Sequence, residues 1–139
     1  MIKYQLKITK LLILAIIAIL TSSCAIQSQE MKDFEKSYRL YEKAMRWQDY
    51  DLMLGYHKNA KKSELNEASR KRLKKFRVSG YNVLFMKIEP DEQSATQMIE
   101  IKYYNQDYNV VRDMTITNLW EWSEKKERWE LANPFPDFR

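Results

Sequence analysis

The side chains able to do chemistry are few, and most stand alone. Cys24 is the single cysteine and His57 the single histidine in 139 residues. A lone cysteine excludes a disulfide framework and a thiolate metal cluster. A histidine acting as a base needs an orienting partner and a water-poor site, and a metal needs several convergent ligands. Neither is legible around His57, which reads as a surface or internally satisfied histidine near a helix end. Asp49 and Asp51 flank Tyr50. A paired-carboxylate role is open to them, but the position invites capping and helix-dipole stabilisation. Glu89, Asp91 and Glu92 surround Pro90 and read as a solvated turn. Glu100 and Asp113 fall on strand-like segments, where a carboxylate turned into a cavity would be a catalytic candidate. Two glycines leave little room for a phosphate-cradling loop. No catalytic residue, metal site or cofactor is assigned.

The aromatic side chains are more plentiful: nine Tyr and four Trp in a short chain. Tyr38 and Tyr41 lie on a helical segment, and Tyr103, Trp120 and Trp122 on strand-like ones. Core packing accounts for them, because rings bury large areas and a small domain needs that burial. The functional alternative is an apolar pocket that they line, with polar tips orienting a small ligand.

The first 23 residues stand outside the fold. Lys3, Lys7 and Lys10 come without an acid, then ten apolar residues run from Leu11 to Leu20, then Thr21-Ser22-Ser23 precede Cys24. Ten residues rise about 15 Å as a helix, roughly half a bilayer's hydrocarbon core. A signal-peptide apolar core is the reading, and 1–23 the signal peptide. Leu20-Thr21-Ser22-Ser23-Cys24 resembles the lipobox of bacterial lipoproteins, with Thr21 where the commonest form has Leu. The resemblance implies cleavage before Cys24, acylation of that cysteine (palmitate among the acyl groups) and attachment to the cell envelope. Residues 24–29 are then a lipidated tether and 30–139 one domain. Ala25 is not the aspartate that resembles an inner-membrane retention signal, which points to the periplasmic side of an outer membrane in a Gram-negative source.

Removing the leader leaves 21 basic against 19 acidic residues, so the formal charge falls from +5 to +2. Export and this small excess argue against nucleic acid as a partner. The remaining basic cluster (Lys58, Lys61, Lys62, Arg70, Lys71, Arg72, Lys74, Lys75 and Arg77) is either a solvated helix face or a surface for anionic headgroups.

Apolar spacing predicts a helix over 30–47 through Phe34, Tyr38, Tyr41 and Met45. A second starts at the Asp49 cap and runs through Leu52, Met53 and Tyr56. A third spans about 63–75, capped by Ser63, with Leu65, Ala68, Leu73 and Phe76 inward. The period then shortens. Tyr81, Val83 and Phe85 share one face of a first strand, and the second runs over about 94–104 with Ile99, Ile101 and Tyr103 together. A long third strand covers about 108–123, placing Met114, Ile116, Trp120 and Trp122 on one face, and a short fourth covers 128–131. Turns at 89–92, 105–107 and 124–127 join them. Asn133-Pro134-Phe135-Pro136 cannot continue a sheet. The expected class is α+β, N-terminal helices packed on a curved, cone-like antiparallel sheet of about four strands. That order, with Leu119-Trp120-Glu121-Trp122, a charged turn and Arg128-Trp129, resembles the nuclear transport factor 2-like (cystatin-like cone) superfamily over about residues 30–131.

The functional expectation is a membrane-anchored envelope lipoprotein, held by its N-terminal lipid, whose domain is a non-catalytic module for an envelope protein partner. The alternatives are a small apolar ligand or lipid in the cone pocket, and an isomerase, dehydratase or hydrolase of the kind the resemblance implies.

Overall fold

The computed structural model describes residues 28–61 and 65–139. Its elements are α1 (Gln29–Trp47), α2 (Tyr50–Tyr56), α3 (Glu67–Leu73), β1 (Phe76–Ile88), β2 (Ser94–Asn105), β3 (Val111–Ser123) and β4 (Arg128–Leu131). The strands form one antiparallel sheet in the order β1-β2-β3-β4, and the three helices pack on one face of it. This is the α+β class expected. No helix among the described residues is long and apolar enough to cross a membrane.

Local chemistry sets the helix ends. The Ser28 hydroxyl accepts from Met31 N at 3.2 Å and opens α1. Phe34, Tyr41, Ala44 and Met45 make its buried stripe. Gln48 closes α1 in the left-handed region at φ 61°. The Asp49 carboxylate accepts from Leu52 N at 3.1 Å, so this acid is a cap. Residues 62–64, including the expected Ser63 cap, lie outside the described residues. The observed α3 opens instead at Asn66, whose side chain accepts from Ser69 N at 2.9 Å. Ala68, expected inward, is exposed, because a helix of 7 residues buries only Leu73.

Two bulges decide what β1 buries. Its register against β2 slips between Val78 and Gly80 and again between Val83 and Phe85. Phe76 and Val78, Tyr81 and Val83, then Met86 and Ile88 therefore take the helix side in turn, opposite β2 residues of that side. An uninterrupted alternation would keep Phe85 with Tyr81 and Val83, as expected from sequence. The extra residue Leu84 turns Phe85 onto the outer face opposite Met98, where it is 50% exposed. β3 starts at Val111, three residues later than expected. Asn105 extends the turn by accepting from Asp107 N on its side chain and from Asn109 N on its carbonyl, and Asn109 sits at φ 51°. After β4 the chain leaves the sheet and buries Phe138 against Phe76 and Tyr103.

The core lies between α1 and the inner face of β2, β3 and β4, with Ile99, Ile101, Trp120, Trp129 and Leu131 fully enclosed. Phe34 packs on both Trp120 and Trp129, at ring separations of 5.9 and 4.7 Å. Phe34→Ala is expected to cost about 3–5 kcal/mol in urea unfolding. Phe85→Ala, on the other side of the bulge, is expected to stay within about 0.5 kcal/mol. Equal losses would place Phe85 in the core and remove the second bulge.

Candidate functional site

The polar groups that the fold draws together centre on His57. α2 ends there, and the chain then runs beside β4: His57 bridges Leu131, and Lys58 N donates to Leu131 O at 2.8 Å. This buries the imidazole under α1, facing the segment that leaves β4. Nδ1 lies 2.8 Å from Asn133 O, and a carbonyl can only accept, so Nδ1 carries the proton. In the neutral ring Nε2 is then an acceptor, and the Tyr41 hydroxyl donates to it at 2.9 Å. Burial raises the Tyr41 pKa well above the ordinary phenol value, with Tyr81 adding to the effect, so the donor stays protonated.

Asn133 extends the arrangement inward. Its side-chain oxygen accepts from Leu119 N at 3.0 Å, and its amide donates to Asn118 Oδ1 at 3.4 Å. Asn118 donates to Gln97 Oε1 at 3.2 Å, and the Trp120 indole donates to the same oxygen at 3.1 Å. A chain of hydrogen bonds thus runs from Tyr41 through His57, Asn133 and Asn118 to Gln97. A cleft of about 280 Å³ opens beside it, lined by His57, Asn59, Ala60, Ala132, Asn133, Pro134 and Phe135. The imidazole reaches this cleft with both nitrogens already bonded, so proton transfer there would first break the bond to Tyr41 or to Asn133.

Of the residues singled out for a pocket, Tyr41 and Trp120 meet, edge to face at 5.8 Å, and Tyr56 packs on both. Phe34 and His57 occupy the remaining sides, so rings fill the space between them. Tyr38 is half-buried against Phe34. Trp122 packs on Trp129 and borders a surface groove with Gln29, Glu30, Asp33 and Glu127. Tyr103 lies apart, in a second cluster with Phe76 and Phe138, its hydroxyl donating to Arg139 O. Cys24 lies outside the described residues.

The strand carboxylates point away from the core. Glu100 sits on the outer face and accepts from Asn82, and Asp113 is exposed opposite Lys102. The buried acid is one that sequence reasoning missed, Glu130 on β4, held at 2.7 Å by both Lys126 and Arg128. Burial pushes its pKa up, but the two cations outweigh this and hold it below the usual glutamate range. Among the described residues no three potential metal ligands converge. Gln97 and Asn118 were legible in principle, since each occupies an inward position in an otherwise apolar alternation. Asn133 carried no signal beyond preceding a proline.

No protein-family model matches the chain, and no curated protein matches it. Among solved structures it is similar to a SEC-C motif containing protein from Psychrobacter arcticus, with 12% sequence identity and a TM-score of 0.56. That likeness covers 84% of this chain and 66% of the other, so the chain spans just under two thirds of that protein's length. It extends to the fold: N-terminal helices on an open four-stranded antiparallel sheet.

Tyr41→Phe removes the donor to His57 Nε2 and leaves a buried acceptor unpaired, which is expected to cost about 1–3 kcal/mol. Tyr103→Phe, whose hydroxyl bonds a carbonyl at the chain end, is expected to cost less than about 1 kcal/mol in the same denaturant titration. Similar losses would contradict the account of His57 as a histidine fixed from both sides.

Proposed function

We propose that this chain is a lipid-anchored envelope protein whose domain, of the nuclear transport factor 2-like type, serves as a non-catalytic interaction module. The observation that carries this reading is where the apolar surface lies. The helices cover Trp120 and its neighbours on the inner face, leaving Val83 and Ile88 of β1 partly exposed on that side, whereas the outer face is bare of helices. Leu84, Phe85, Met98 and Leu119 stand 36–54% exposed there. Exposed apolar side chains grouped on one face mark interaction surfaces more often than isolated ones do. The bulged β1 with its two register slips supports a curved sheet of the proposed type.

The anchor rests on Cys24, its small-residue approach and the apolar run before it. Ala25 supports the periplasmic face of an outer membrane as the address. A second reading, a small apolar ligand, draws on the cleft beside His57, where Ala60, Pro134 and Phe135 supply apolar walls and Asn59 and Asn133 polar groups.

In cells fed a labelled fatty acid, the intact chain is expected to carry label and sediment with membranes. Cys24→Ser is expected to lose both properties. Membrane retention of that variant without label would contradict the anchor.

A further inference from the structure

The placement of α1 gives the molecule a near and a far end relative to its anchor. Trp129 Nε1 donates to Glu30 O at 2.8 Å, which fixes the start of α1 beside the turn between β3 and β4. Trp122 N donates to Gln93 O, which brings the turn between β1 and β2 to the same end. The five residues from Ala25 to Gln29 reach at most about 17 Å, so an anchor on Cys24 holds this end next to the bilayer. The 19 residues of α1 rise about 28 Å, and its other end meets the start of β1. There the Gln48 amide bonds Phe76 O, and Arg77 is clamped between the side-chain oxygens of Gln48 and Gln106. Gln106 N also donates to Lys75 O at 2.8 Å.

That clamp locks three segments into one surface at the far end. Trp47 is 77% exposed, Tyr108 74%, Val110 55% and Val111 62%. Lys71 and Lys74, both exposed, make no ion pair with any described residue, whereas Arg70 is paired with Asp51, Arg72 with Asp137 and Lys75 with Asp107. Headgroups of the anchoring bilayer lie at the other end, beyond reach of Lys71 and Lys74. Exposed Trp and Tyr rings are the side chains enriched in protein-binding hot spots, the two lysines supply a positive rim, and a plain polyanion would leave the rings unused.

We infer that this far end binds an acidic polypeptide segment carrying aromatic or aliphatic side chains, with Trp47 and Tyr108 as anchors and Lys71 and Lys74 as charge partners. The inference rests on the tethered, non-catalytic reading and adds the surface and the partner's chemistry. Facing away from the membrane, the surface meets proteins of the compartment into which the domain projects.

The test uses the full lipidated chain in zwitterionic vesicles and three fluorescent 12-residue peptides: Glu alternating with Phe, Lys with Phe, and Glu with Ser. Anisotropy should give the Glu/Phe peptide at least tenfold tighter binding than either control. Trp47→Ala with Tyr108→Ala, and separately Lys71→Glu with Lys74→Glu, should each weaken it at least tenfold. Leu40→Ser, on α1 and in neither apolar surface, should change it less than twofold. Thermal melts of each variant confirm folding. The inference is overturned by absent binding, by equal binding of the Lys/Phe peptide, or by loss in Phe85→Ser with Leu119→Ser on the outer face while both distal pairs still bind. That last result would leave an interaction module working through its other surface. Preferential capture of the unmodified domain surface by anionic vesicles, scored as equal loss of binding in both distal pairs towards vesicles and none towards peptide, would overturn it in favour of lipid. Failure of the anchor itself is read separately, from the fractionation of Cys24→Ser.

Discussion

The arrangement depends on the burial of one indole. Trp120 sits where β3 passes beneath α1, 1% exposed, with Phe34, Tyr41 and Tyr56 ringed around it at 5.8–5.9 Å. A ring of this size contributes more apolar burial than any other side chain type, and edge-on aromatic neighbours add a directional component. Its N–H cannot be left dry, so Gln97 is placed in the core to receive it. Asn118 donates to the same Gln97 oxygen and is itself reached by Asn133, while Gln97 Nε2 is buried without a partner. One aromatic choice thus accounts for a line of polar residues in the interior, and that line ends at His57.

The same packing explains why the histidine is fixed. Tyr41 packs on Trp120 with its ring and holds His57 with its hydroxyl, so the apolar and polar halves of the core share a side chain. A buried imidazole bonded at both nitrogens is held in one orientation and helps to specify the core. The outer face has no such constraint, and the side chains of Phe85, Met98 and Leu119 remain in solvent. Packing and solvent exposure therefore divide along the sheet: the helix-covered part of its inner face stabilises the fold, and its outer face leaves apolar side chains in solvent.

Much of the fold was legible because periodicity carries it. The stripe of Phe34, Tyr41 and Met45 gave α1, and Ile99, Ile101 and Tyr103 gave the inner face of β2. Asp49 was legible as a cap because a short acid before an apolar stretch satisfies helix N–H groups wherever it occurs. What escaped were features set by pairing between distant segments. Leu84 as an extra residue is defined only by its partner strand, so Phe85 was assigned to the wrong face. Composition pointed to Ser63 as the cap of α3, whereas Asn66 caps the observed helix. The site was less legible than the fold. Tyr41 meeting Trp120 could be expected from ring content, but Tyr103 lies in a separate cluster that forms only because Phe138 folds back. Asn133 holds His57 through its backbone carbonyl, which any residue could supply, and its side-chain bonds to Leu119 N and Asn118 are defined only by the fold.

The central claim is that packed rings close and fill the interior around Trp120. Hydrogen exchange of the Trp120 indole N–H, followed by NMR, tests it most directly. The account predicts exchange only through global unfolding, with a protection that matches the denaturant-derived stability and does not change when small apolar molecules are added. Fast exchange, or a shift of that resonance on adding an apolar probe, would reveal an accessible cavity around Trp120 and contradict the account.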